Sequence, residues 1–292
     1  MKKILLTFIL LTPFLAFSQK TEKLNLRKYR IAILSDSLRE SSGLTHIGDR
    51  LFSFNDSGNT SEIFEIKPGS SYIEKTFQTG LKNTDWEAIT NDGNNFYIGE
   101  LGNNLGTRRD LKVYQIPFKN DSIITDSIKS IPFFYPEQTD FMPKNINNNF
   151  DAEAMIFLSG NIHLFTKEWI TNTVSHYVID KNLTENQPAK KLETFDTGFV
   201  VTDASFFDNK LYVVGYTKKA SVYMMIFEKD DTGNLFFSKP IKKYFLGRAY
   251  NVGQIEGITA TEKGVYISGE RFSIKLKKVP QSLYFISYKD LE

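Results

Sequence analysis

The sequence contains no cysteine. That excludes a disulfide framework, a thiol nucleophile and a thiolate metal site. Histidine is scarce: His46, His163 and His176 are the entire supply. A surplus of one charge is also lacking, since 36 Lys and Arg face 34 Asp and Glu for a formal net charge of +2. A general nucleic-acid binder would be far more basic. Long apolar runs are missing as well, apart from Ile4 to Phe17, which Pro13 interrupts. That run follows Met1-Lys2-Lys3 and ends among the small residues Ala16 and Ser18. It has the layout of a signal peptide, residues 1–18, with an exported protein (periplasmic or extracellular) as the expected result. It falls short of the roughly 20 residues that a membrane span needs. No membrane association is expected after cleavage, and residues 19–292 are expected to form a single domain.

What is present favours strands and turns. Aromatic residues make up 14% of the chain, and five segments repeat. They are Ser42-Gly43-Leu44-Thr45, Glu87-Ala88-Ile89-Thr90, Glu153-Ala154-Met155-Ile156, Asp203-Ala204-Ser205-Phe206 and Glu256-Gly257-Ile258-Thr259. Each begins with an oxygen-bearing side chain and a small residue. Each is followed by a turn and an apolar–aromatic pair: Leu51-Phe52, Phe96-Tyr97, Ile162-His163, Leu211-Tyr212 and Val265-Tyr266. The oxygen residue precedes the second member of its pair by 10, 10, 10, 9 and 10 positions. A third strand follows in every unit, and most units show a fourth.

The oxygen residues lie 45, 66, 50 and 53 positions apart. Four antiparallel strands in about 50 residues make a propeller blade. The chain therefore reads as an all-β, five-bladed β-propeller. The last unit lacks a fourth strand, and Arg30 to Leu34 can supply it by pairing with Ser282 to Tyr288, closing the ring. The long interval holds the Pro- and Asn-rich stretch Ser130 to Asn149, read as an extended loop. A sixth, degenerate blade there is the alternative.

First strands line a propeller's channel, so Ser42, Glu87, Glu153, Asp203 and Glu256 are expected to converge on the axis. Four carboxylates in one place repel one another unless something neutralises them. Oxygen ligands without Cys or His select Ca2+, with Mg2+ as the second choice. The competing expectation is a structural belt in which these side chains cap backbone amides. The loops after the second strands surround the same mouth. They bring Asp56, Glu100, Arg108, Lys167 and Arg271, the candidate ligand-binding residues. Arg and Lys beside a cation suit an anionic small molecule, phosphate foremost.

These segments resemble the calcium-activated nucleotidase (apyrase) family. The similarity runs through Ser42-Gly43-Leu44 with Leu51 to Gly58, Trp86-Glu87-Ala88-Ile89 with Tyr97 to Gly102, and Ile255-Glu256-Gly257-Ile258. It implies a five-bladed propeller with channel calcium held at Ser42, Glu87, Glu153 and Glu256, with Asp203 at a position where the family tends to have Ser. The chain departs from the family at Gly43, where an acidic residue is usual, and in Asn55-Asp56-Ser57-Gly58, which lacks an Arg. It is also similar to exported bacterial propellers of uncharacterised function that carry Asp-Trp-Glu-Ala, here Asp85 to Ala88.

Three functions fit. In the first, a metal-dependent hydrolase acts on phosphoanhydrides or phosphoesters such as nucleotides. The ion polarises a phosphoryl oxygen, Glu87 or Glu153 takes a proton from water, and Lys167, Arg108 and Arg271 hold phosphate charge. In the second, the ion is structural and the loops bind a ligand or partner without turnover. In the third, a lactonase or esterase uses the ion to stabilise a carbonyl oxyanion. Histidine bases are disfavoured, because His46 and His176 lie inside expected strands and His163 fills an aromatic position.

Overall fold

The computed structural model describes residues 20–274 and 277–292. The leader expected at residues 1–18 lies outside them. Strand pairing resolves five four-stranded antiparallel blades, each walking outward from its first strand. The innermost strands are Ser41–Ile47, Trp86–Asn91, Ala152–Leu158, Val200–Phe207 and Gln254–Thr261. They pack side by side in a closed circle, blade one against blade two and blade five against blade one. A sixth blade is not needed.

Sequence chemistry accounts for the hairpins. Ser159-Gly160 and Asp208-Asn209 have positive φ at both positions, 51° and 83° in the first pair and 47° and 58° in the second. Such turns match the twist of the strands they join. Apolar residues at alternate strand positions then face the neighbouring blade. Each of the five seams has its own buried layer, as with Phe52, Phe54, Trp86, Phe96 and Phe118 between blades one and two. Edge-to-face contacts such as Phe52–Phe96, with centroids 4.9 Å apart, fill that seam. Each fully buried Phe adds roughly 1.5–3 kcal/mol.

Closure follows the expected route. Arg30–Ile33 lies antiparallel to Ser282–Ile286 as the outermost strand of blade five, with Arg30 opposite Tyr284 and Ile33 opposite Ser282. Two short parallel additions cover other edges: Thr21–Lys23 on blade four and Gln187–Pro188 on blade two. The stretch expected as a loop from Ser130 begins inside a strand, because Lys129–Phe134 is the fourth strand of blade two. Irregular backbone occupies 135–149. The alternation Ile131, Phe133, Tyr135, all buried, marks the strand. The loop after the second strand of blade five is not bare either: Phe272–Ile274 pairs with Lys277–Val279.

Candidate functional site

A β-bulge interrupts every first strand near its start. A bulge of this kind bends the strand and sharpens the local twist. Downstream of it, Thr45, Thr90, Ile156, Ser205 and Thr259 sit opposite Phe52, Tyr97, His163, Tyr212 and Tyr266. Counting back three residues from each gives Ser42, Glu87, Glu153, Thr202 and Glu256. The ring position in blade four is therefore Thr202, and Asp203 stands one residue out of register. The lone spacing of nine marked this, since Thr202 restores ten.

Asp203 does something else. Its carboxylate, fully buried, accepts the backbone N–H groups of Ala204 at 2.8 Å, Ile258 at 2.7 Å and Leu44 at 3.2 Å. It reaches from blade four past blade five to blade one and ties three inner strands together. With three amide donors already bound, it behaves as the structural belt expected of such residues, not as part of an ion-binding ring.

The other ring members also divide their roles. Ser42 Oγ donates to the Glu87 carbonyl at 3.4 Å. Glu256 accepts from Gln254 Nε2 at 2.6 Å and Tyr216 Oη at 3.3 Å. Glu153 forms a buried ion pair with Lys167. Burial works to lower the pKa of the Lys167 ammonium, yet Glu153, Tyr216, Glu256 and Asp151 hold it well above its usual range. A protein cation is thus buried among the ring carboxylates Glu153 and Glu256. Lys167, expected to grip substrate phosphate, is enclosed and already paired. The backbone leads it there, as its N–H donates to the Asp151 carbonyl at 2.7 Å.

Glu87 is drawn to one side, into a group with Asp56 and Asp85. One carboxylate oxygen from each lies within 4.8 Å of the others. Calcium binds oxygen at about 2.3–2.6 Å, so two of its ligands can stand that far apart and one ion can reach all three. A Cβ on Gly102 would lie 2.2 Å from Asp85 Oδ2 and 2.6 Å from Glu87 Oε1. Only glycine lets the loop pass so close to both carboxylates. Next to it, the Asn103 N–H donates to Asp151 Oδ1 at 2.7 Å.

The electrostatics are those of a site short of positive charge. Burial first, then Glu153, Asp56 and Asp151, push the Glu87 carboxyl well above its usual range. Asp85 is raised to about 6 by burial and by Asp56 and Asp151, against the pull of Arg108. Glu270 is pushed up to about 10 by burial and by Glu256, Asp56 and Glu153. Among the described residues, Lys167 is the cation enclosed with this group.

The remaining candidates support the walls. Glu100 accepts the N–H groups of Thr84 at 3.2 Å and Asp85 at 2.7 Å, fixing the turn that carries Asp85. Arg108 Nη1 donates to Glu100 at 3.1 Å and to the Gly102 carbonyl at 3.0 Å, and its Nε pairs with Asp110. Arg271, 42% exposed, pairs with Asp36 away from the acidic group. Of the residues expected at one site, Asp56 and Glu87 meet in the triad, Glu153, Glu256 and Lys167 form its neighbour, and Arg271 lies apart.

Sequence reasoning missed Asp85, Asp151 and Glu270. A signal for the first two was present: Asp85-Trp86-Glu87-Ala88 and Asp151-Ala152-Glu153-Ala154 share one pattern in consecutive blades.

No protein-family model matches the chain, and no curated protein is similar to it. Solved structures give distant likenesses. Two are crystal structures of putative 6-phosphogluconolactonases. The one from Bacteroides uniformis is 10% identical, with 82% of this chain and 69% of that chain covered, at a TM-score of 0.39. The one from Bacteroides fragilis is 12% identical, with 82% and 85% covered, at 0.41. A chain of the mitotic checkpoint complex is 11% identical, with 83% and 63% covered, at 0.38. The count of five blades rests on strand pairing and not on these overlaps.

Proposed function

We propose that the protein binds a hard divalent cation, with calcium preferred, at Asp56, Asp85 and Glu87. The observation that carries this is the approach of three carboxylates, one of them buried, around a loop that only Gly102 permits. All donors are oxygen, which suits calcium or magnesium. Asp151, fully buried, adds negative charge beside them. The export expected from residues 1–18 would deliver the chain to compartments where calcium is abundant.

Isothermal titration of the chelator-treated protein tests the proposal. Calcium should bind the wild type at one site per chain, and Asp85→Asn with Glu87→Gln should abolish the heat. Unchanged binding in the double variant would overturn the assignment.

A second reading makes the ion catalytic. Asp56 and Asp85 are only half-buried, so the triad opens to solvent on one side. A bound cation would supply Lewis acidity there, toward a phosphoryl or a lactone carbonyl oxygen. The cations expected to grip phosphate give this reading less support, because Lys167, Arg108 and Arg271 are each engaged by protein carboxylates. Phosphate release from nucleotides and ring opening of lactones, with calcium, should be lost in Glu87→Gln if the ion is catalytic. Equal rates in the two proteins would leave a binding propeller.

A further inference from the structure

A cavity of about 360 Å³ lies at the rim of blade two, apart from the carboxylate triad. The fourth strand supplies Phe133 and Phe134, the following loop Tyr135, Pro136, Gln138 and Phe141, and the loop after the second strand Arg108 and Arg109. Asn186 closes it from blade three, where Gln187–Pro188 latches onto the edge of blade two. The volume is within the usual range for a small-molecule site.

Its chemistry is one-sided. Two arginines and four aromatic rings line it, and no carboxylate does. Glu100 and Asp110 neutralise Arg108. Arg109 has no carboxylate partner among the described residues, and its guanidinium lies over the Phe141 ring at 3.5 Å from the centroid. That stacking holds the plane of the guanidinium and leaves its edge donors for a ligand. Phe134, 40% exposed, offers an apolar surface at the same cavity.

We infer that this cavity binds a small carboxylate carrying a flat apolar group. The carboxylate would take the planar donors of Arg109, a match of fork to fork. The flat group would lie among Phe134, Tyr135 and Phe141. Arg108 is shared with the wall of the cation site, through Glu100 and the Gly102 carbonyl, so the test is placed on Arg109 and Phe141, which make no hydrogen bond or ion pair with the triad.

The test uses 2-naphthoate with the whole chain, followed by titration calorimetry. Its uncharged isostere 2-naphthamide and the ringless anion acetate serve as controls. Naphthoate should bind at least about tenfold more tightly than either control. Arg109→Gln should remove that advantage, and Arg109→Lys should recover only part of it. Phe141→Ala, which removes both an apolar wall and the ring that holds the Arg109 guanidinium, should weaken naphthoate by a larger factor than acetate. Arg109 is exposed, and an unchanged thermal melt in each variant shows that the fold survives. The inference is overturned if naphthoate fails to bind, if it binds no better than a control, or if Arg109→Gln leaves its affinity unchanged.

Discussion

The two ends of the channel are built from the same five strands and solve opposite problems. At the ring position, Ser42, Glu87, Glu153, Thr202 and Glu256 bring charge together, and the structure must offset it with Lys167. Three residues further along, about 10 Å, Thr45, Thr90, Ser205 and Thr259 carry neutral hydroxyls. Each hydroxyl bonds to the next blade. Thr45 accepts from Asn91 Nδ2 at 2.7 Å, Thr90 from the Phe157 N–H at 3.2 Å and Ser205 from the Ala260 N–H at 3.0 Å. Thr259 Oγ1 meets His46 Nδ1 at 2.8 Å. Four of five seams are pinned in this way, and blade three has Ile156 instead. The hydroxyl end is satisfied by the chain itself. The acidic end is not, and the proposed cation would answer that demand.

The largest expected effect comes from removing the internal cation. Lys167→Met leaves Glu153 and Glu256 buried without compensation and should cost roughly 3–5 kcal/mol in chelator, measured by urea unfolding. A cost near that of a lost hydroxyl would erase the distinction between the two ends.

Calcium should act on the acidic end alone. At a hundredfold excess over its dissociation constant it should stabilise the wild type by about 2.7 kcal/mol. Glu87→Gln should lose most of that gain, whereas Thr45→Val should keep all of it. Thermal melts with calcium and with chelator read both.

Acidity should separate the regions by sign. Without calcium, Asp85 has a folded pKa of about 6 against an ordinary 3.8. The folded state holds that proton more tightly, so its contribution to stability is greatest below pH 3.8 and is lost as pH rises through 6. His163 runs the other way. Burial first, then His176, push it down to about 3 from 6.5, so its contribution is present above pH 6.5 and lost as pH falls toward 3. Each shift changes stability by about 1.4 kcal/mol per unit. Between pH 4 and 6, Asp85→Asn should make stability rise more steeply with pH, and His163→Phe should flatten that rise. Identical pH profiles in wild type and both variants would show that neither group is perturbed.

The smallest effect belongs to the hydroxyl end. Thr259→Val removes one hydrogen bond across a seam and should cost about 1 kcal/mol, with no change in calcium response. A change in that response would mean that the two ends are coupled along the channel.

Much of this was legible in the chain. The recurrence of an oxygen residue, a small residue and an aromatic ten positions on located the five first strands. Arg30 to Leu34 could be matched to the missing strand because an open edge demands a partner. Even the misplacement of Asp203 left a trace, in its spacing of nine. The acidic group was half visible. Glu87 and Asp56 were singled out, while Asp85 and Asp151 went unused although the repeated Asp-x-Glu-Ala displayed them.

By itself, the sequence determined the blade count, the closure and the side of the disc where acidic residues gather. Those follow from strand periodicity and turn chemistry, which are local. Only the tertiary structure decided which charges meet. Lys167 arrives on a loop after a second strand, in a place equivalent to Asp56 in blade one, and nothing local tells a loop lysine that faces solvent from one that turns into a ring of carboxylates. A one-residue change in register turned Asp203 from an expected ion ligand into a strut for three backbone amides. Charge acts through space over several ångströms, so the partners that fix it are the ones that the chain order hides.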